Sequence, residues 1–413
     1  MKIHIQPSDG AFGELLQNQL LAAETGDFYA ISAFAKNSGV LTLEDAISAF
    51  RSKGGKTTFV VGIDLDGTSI EALKNILRMA DSLFVVHSEN NITFHPKIYT
   101  LSSKTNYFIA IGSNNLTKGG LFNNYESSMI SEAKKPQTEL SAQFSKILSL
   151  YTDDKNSTVL EIKSEDDIDR LAEEGYIHSE RDIQKNLLAP KSNFSRKNRN
   201  KLFGNEKNIS PNMNDKKYTQ SGSFNEEPSK DTQTPDDIAA LDLSTQNDMF
   251  WFETGNMTGG SRNILDLSKK GKLQEDSGSA QNTIYYKDDE HVKGGVLFFG
   301  LDPDNSSEKD ITINYDGVNY SPATIKYAPA NSNWRIQIKG SDDSNKKITT
   351  VLPKGSMVEK ILVFEKVNST KYILTIHPIN ELNSFAKNSI FWATNGTSSN
   401  GRRFGYIVND LED

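Results

Sequence analysis

Five side chains between His95 and Glu126 form a set that could transfer a phosphoryl group. His95 offers an imidazole nucleophile, and Lys97, two residues on, offers a cation for the phosphate under attack. In a strand, residues two apart leave the same face, so the two side chains would meet. Tyr107–Ile111 reads as a second strand, ending in Gly112-Ser113-Asn114-Asn115. There the glycine would let the backbone approach an anion, while Ser113 and Asn115 supply uncharged donors. A third short strand, Tyr125–Ile130, contains Glu126 near its start. Its carboxylate could hold one imidazole nitrogen and leave the other free to react.

An isolated His-x-Lys is cheap, and a second one, His291-Val292-Lys293, has no Gly-Ser-x-Asn downstream. The compound pattern is the informative one. His95-Pro96-Lys97 followed by Gly112-Ser113-Asn114-Asn115 resembles the HxK…GSxN signature of the phospholipase D superfamily. Glu126, eleven residues after Asn115, matches the spacing of the single-motif nuclease branch. The resemblance implies an α/β phospholipase-D-like domain, a covalent phosphohistidine on His95 and no metal or other cofactor. It also implies a homodimer through the N-terminal domain, because that mechanism uses two histidines across a symmetric cleft. Two departures stand out. Ser102 occupies the place of the signature's Asp, which argues against a lipase more than against the superfamily. Pro96 has no N–H, so a strand there loses a ladder bond or faces outward.

A different chemistry is also written in the chain. Phe59–Thr68 copies the strand-then-DxDGT pattern of haloacid-dehalogenase phosphatases, with Asp64 as nucleophile and Asp66 as acid/base beside a magnesium ion. The competing reading is a strand-to-helix turn in which Thr68 or Ser69 caps the next helix. A third possibility is a DNA-binding protein with an inactive nuclease fold.

The elements that must position these residues can be read from apolar periodicity. Phe28–Phe34, Thr57–Ile63, Ser82–His87 and Tyr107–Ile111 are short apolar runs suited to buried strands. Gly13–Ala23, Leu43–Ser52 and Ser69–Met79 show helical spacing between them, and a last helix spans Gln137–Leu150. Strands alternating with helices predict a largely parallel sheet. From Asn186 to about Gln246 the chain turns polar and poor in apolar residues, as linkers do. Beyond Phe250 it becomes β-like. The expected strands are Asn282–Tyr286, Gly295–Phe299, Ile311–Tyr315, Trp334–Lys339, Lys360–Glu365 and Lys371–Ile376, with a helical turn near Ile379–Phe385. The domain plan is therefore a nuclease domain over 1–180, a polar linker with a basic segment over 181–245, and a mainly-β pseudobarrel over 246–413.

Composition narrows the classes. The 413 residues are 36% hydrophobic and 24% charged, and no apolar run is long enough for a membrane span. With no cysteine there is no disulfide or thiolate chemistry, which suits a cytoplasmic protein. The formal net charge of −8 hides two blocks. Glu161–Asp182 carries nine acids against three bases, whereas Lys185–Lys217 carries nine bases against two acids. The basic block could hold phosphate backbone without sequence preference. The acidic one could lie across a phosphate-binding cleft as a guard, or simply be a solvated helix face.

Gly62-Ile63-Asp64…Gly67-Thr68-Ser69, together with the β-rich half, resembles the NgoFVII-type restriction endonucleases. These have the BfiI-like plan of a phospholipase-D nuclease joined to a B-three-like DNA-binding pseudobarrel. That resemblance implies site-specific cleavage of double-stranded DNA and leaves room for an ATPase or methyltransferase partner. Candidate DNA contacts are Arg262 and Asn263 in a glycine-rich loop and, as weaker candidates, Trp334-Arg335 and Arg402-Arg403, where Trp334 also reads as a core residue and the two C-terminal arginines as solvated. Arg suits guanine and Asn suits adenine in the major groove.

Overall fold

The computed structural model describes residues 1–183, 202 and 248–408, apart from 90–91, 136–137, 154, 257–262, 268, 275, 282, 306, 330–332, 353–354 and 396–400. Arg262, the basic block and nearly all of the expected linker lie outside the described residues.

The first unit is one eight-stranded sheet with helices on both faces. Its strands are β1 (Lys2–Gln6), β2 (Gly26–Ser32), β3 (Lys56–Gly62), β4 (Ser82–Val86), β5 (Lys97–Ser103), β6 (Asn106–Gly112), β7 (Glu126–Lys134) and β8 (Val159–Ile162). Its helices are α1 (Phe12–Ala22), α2 (Asn37–Ser52), α3 (Ile70–Met79), α4 (Thr138–Thr152) and α5 (Glu165–Glu173). The sheet order is β1-β7-β6-β5-β2-β3-β4-β8. Only β2–β3 and β3–β4 run parallel, so the expectation of a largely parallel sheet is corrected. β5 and β6 join through a two-residue connection that can only make antiparallel neighbours, and β7 also runs antiparallel to β6.

The central strands β2 to β5 read as near-continuous apolar runs because both faces are covered there, whereas β1 and β7 alternate buried and exposed residues. Phe28, Ala30, Phe59, Val61 and Tyr99 enter one core, lined also by α1, α2 and α3. Ile31, Val60, Phe84, Ile98 and Ile109 enter the other, under Phe144 of α4. The acidic block is folded rather than free. Its first residues form the edge strand β8, paired to β4, and α5 packs Ile168 and Leu171 inward.

The second unit is an eleven-stranded, mostly antiparallel sheet that curls into a half-barrel. It comprises β9 (Asp248–Glu253), β10 (Ile264–Asp266), β11 (Lys270–Leu273), β12 (His291–Lys293), β13 (Lys309–Tyr315), β14 (Val318–Ala328), β15 (Asn333–Gln337), β16 (Lys360–Lys366), β17 (Lys371–Pro378), β18 (Phe391–Asn395) and β19 (Arg403–Val408). Two expected strands are not strands. Gly295–Phe299 winds into a 3-10 turn, and Thr283–Tyr286 forms turns with a single bridge at Tyr286.

The two units touch. Leu41 of α2 is buried with Val367 and Ile373. Glu44 pairs with Lys371 at 2.5 Å, with side chains 28% and 11% exposed. Burying such apolar side chains is worth about 1.5–3 kcal/mol each, against about 0–1 kcal/mol for a partly exposed ion pair, so the apolar contact dominates. No helix among the described residues is long and apolar enough to cross a membrane.

Candidate active site

His95 does not sit in a strand. It lies in the irregular segment that leads into β5, and Lys97 is the first residue of that strand. The two side chains still meet: Lys97 Nζ is 2.8 Å from His95 Nδ1, 3.0 Å from Nε2 and 3.2 Å from the His95 carbonyl oxygen. An ammonium only donates, so it serves whichever ring nitrogen lacks a proton. Lys97 is 6% exposed and its charge is held near the imidazole. Burial, and then Lys97, lower the His95 pKa below the usual imidazole value. Both effects favour the neutral, nucleophilic ring at neutral pH.

Two further contacts fix the imidazole. The Phe34 ring meets it edge-on at 5.6 Å between centroids. Just upstream, the Phe94 N–H donates to Asp64 Oδ2 at 2.9 Å, while Asp64 Oδ1 is 2.7 Å from His87 Nδ1. Asp64 thus tethers the chain carrying His95. Thr68 donates to the Gly62 carbonyl, and Ser69 caps α3 by accepting from the Ala72 N–H at 3.2 Å. The cap reading of the DxDGT stretch describes this segment, and such a cap is worth about 1 kcal/mol. Asp66 is spent on His178 at 2.8 Å. Phosphatase chemistry at Asp64 would need a divalent ion, yet no three His, Cys, Asp or Glu side chains among the described residues cluster to hold one.

The loop after β6 supplies the polar groups. Lys97 is the register partner of Ser32, whose hydroxyl accepts the Leu116 N–H at 2.9 Å, so the loop that carries Asn115 is tied to the strand next to Lys97. Asn115 is 8% exposed, and its amide oxygen has no partner among the described residues. Its neighbour Asn114 is structural, donating to the Gly120 carbonyl and accepting from Ser128. Gly112 has a packing reason: a Cβ there would lie 2.2 Å from the Ser127 carbonyl oxygen, so it admits β7 rather than an anion. Glu126 also departs from expectation. Ser113 Oγ donates to Glu126, and Glu126 makes no bond to His95. Ser113 and Glu126 stand side by side at the ends of β6 and β7, on the exposed side of the loop.

The candidate DNA contacts fare unevenly. Trp334 is fully buried and donates its indole N–H to the Pro303 carbonyl, so it is a core residue and cannot reach DNA. Asn263 spends its amide on the Ile338 carbonyl. Arg335 pairs with Asp266, and Arg403 with Glu253, both at 2.9 Å. Among the described residues Arg402 bonds Asn395 through its backbone alone; the residue is partly exposed, and its guanidinium lies over Gly255. The acidic guard is corrected as well. Glu165 and Asp169 pair with Lys74 and Arg78 of α3, and Asp167 caps its own helix.

Phe34, Asp64 as a tether and Lys118 were not found as parts of a site. Phe34 and Asp64 reach it from other parts of the chain, and Lys118, although three residues past Asn115, acts through a partner far along the chain.

No family model matches the sequence, and no curated protein does. Solved structures do match. A phospholipase D family member, Nuc from Salmonella typhimurium, is 17% identical over 40% of this chain and 97% of its own, at a TM-score of 0.30. Phosphatidylserine synthase of Haemophilus influenzae is 14% identical over 45% of this chain and 44% of its own, at 0.33. NucT from Helicobacter pylori is 14% identical over 36% of this chain and 94% of its own, at 0.25. Likenesses this slight leave the functional reading to the geometry of the site.

Proposed function

We propose that this chain is a metal-independent DNA phosphodiesterase that works through a covalent phosphohistidine on His95. The observation that carries this reading is the His95 imidazole, biased to its neutral form and held against the Lys97 ammonium, with the buried Asn115 amide in a loop tied to the adjacent strand β2. A neutral ring nitrogen attacks phosphorus, the nitrogen–phosphorus bond forms and the ester bond to the leaving oxygen breaks. His95 of a second copy gives that oxygen a proton. It then takes a proton from water, whose oxygen displaces the first His95. Lys97 and Asn115 stabilise the charge that builds on the phosphoryl oxygens.

An exposed apolar row supports the reading that a second copy docks on the nuclease unit. Ile3, Met129 and Ile111 pair across β1, β7 and β6, on the face that α4 covers only further along the sheet. They are 67%, 51% and 48% exposed, an apolar row that leads to Ser113. The finer reading is site-specific, restriction-type cleavage of double-stranded DNA, with the β unit docked on the nuclease unit as the reader. Arg402 is its best-placed candidate contact.

Digestion of plasmid DNA in excess EDTA tests the proposal, and sequencing the ends tests its site-specific form. Cleavage should persist in EDTA, and His95→Ala should abolish it while DNA binding stays near wild type. Loss of cleavage on chelation, or cleavage by the His95→Ala protein, would sink the reading.

A further inference from the structure

The loop that carries Asn115 is gripped from three sides. At the exit of β2, the Leu116 N–H donates to Ser32 Oγ and the Phe34 carbonyl, and the Leu116 carbonyl accepts from Lys36. From α2, Gly39 lies directly on Thr117: a Cβ there would come within 2.5 Å of the Thr117 Cα. The third grip belongs to the other unit. Lys118, three residues past Asn115 and only 5% exposed, sends its ammonium to the Lys366 carbonyl at the end of β16. It also faces the buried carboxylate of Glu365, which Ser38 hydrogen-bonds.

The surroundings make this a fixed joint. Asn37 bonds Asn314 at 2.9 Å and receives Asn75 at 2.5 Å, while Arg78 donates to the Gly317 carbonyl. Glu180 accepts from the Asn37 N–H at 2.6 Å and from Ser69 at 2.9 Å. A buried ammonium stays where its partners are, because leaving them unpaired is costly. Two of the three grips are internal to the nuclease unit, but the Lys366 carbonyl and Glu365, which Lys118 meets, belong to the other unit.

We infer that Lys118 is a positioning residue through which β16 of the second unit holds Asn115 in place for phosphoryl transfer. This inference rests on the function proposed above. Turnover then requires the β unit to be docked, for a reason separate from DNA recognition: without β16 the loop keeps its fold but loses one support close to the transition state.

The test is single-turnover cleavage of duplex DNA by the full-length chain, in which the burst of phosphohistidine counts active molecules. Misplacing a catalytic group by an ångström costs up to about a hundredfold. Lys118→Met should therefore lower the rate per active site by at least about tenfold, with the dissociation constant for DNA unchanged. Lys118→Arg, which keeps charge and donor, should recover most of the loss. Glu365→Gln, which leaves Lys118 intact, should lower the rate in the same direction by less, and it decides the matter if Lys118→Met does not fold. A wild-type rate per active site in Lys118→Met or Glu365→Gln would overturn the inference, as would failure of Lys118→Arg to recover. A wild-type chain that forms no phosphohistidine would instead overturn the proposed function itself.

Discussion

At the scale of single residues, the pKa of His95 is the quantity that separates a nucleophile from a buried imidazole. Burial is the larger cause of its lowering and Lys97 the second. Removing the Lys97 charge therefore raises the His95 midpoint toward the ordinary value of about 6.5. NMR titration of the His95 ring should show this upward shift in Lys97→Met, and an unchanged or lower midpoint would contradict the geometry. The His-x-Lys and Gly-Ser-x-Asn residues were legible in the sequence because the connections between their strands are short. The partner Glu126 has within the chain was not legible, because strand register sets it and places it next to Ser113. Trp334 carried two readings, core aromatic and DNA contact, because an aromatic next to an arginine looks the same in either place, and its full burial decides for the core.

At the scale of elements, the joint between α2, α3 and the second sheet collects carboxyl groups that lie far apart along the chain. Burial, and then Glu180, push Glu71 up to about 8, while burial and Glu180 push Glu365 up to about 7. Burial raises Glu180 as well, against the opposing pull of Lys36. Their folded pKa values lie above the unfolded ones, so between about pH 4.5 and 8 the folded chain binds more protons. Stability must then fall as pH rises through that window. Thermal melts should show the midpoint dropping from pH 6 to pH 9, and Glu71→Gln should flatten the drop. An equally steep drop in Glu71→Gln would contradict the burial of that carboxyl group. The strands and helices of the first unit were legible because apolar runs that pack on both faces leave a plain signal, as at Phe59–Val61. Their direction was not, since parallel and antiparallel neighbours bury the same residues. Gly295–Phe299 misled for a related reason: a short apolar run fits a buried 3-10 turn as well as a strand.

At the scale of the whole molecule, the proposed chemistry needs two copies of the chain, and the exposed row of Ile3, Met129 and Ile111 says where they would meet. Ile3→Asp with Met129→Asp should convert a dimer to a monomer in sedimentation and remove cleavage with it. A monomeric double variant that cuts at the wild-type rate would exclude the two-histidine scheme. The measurement closest to the central claim is to trap the reaction of labelled duplex DNA in EDTA with acid-free denaturation, and to map the label on the protein. A covalent phosphoryl adduct that is stable to alkali, labile to acid and located on His95 is predicted, with none in His95→Ala. Label on Asp64, or cleavage with no adduct at any time point, would contradict the account.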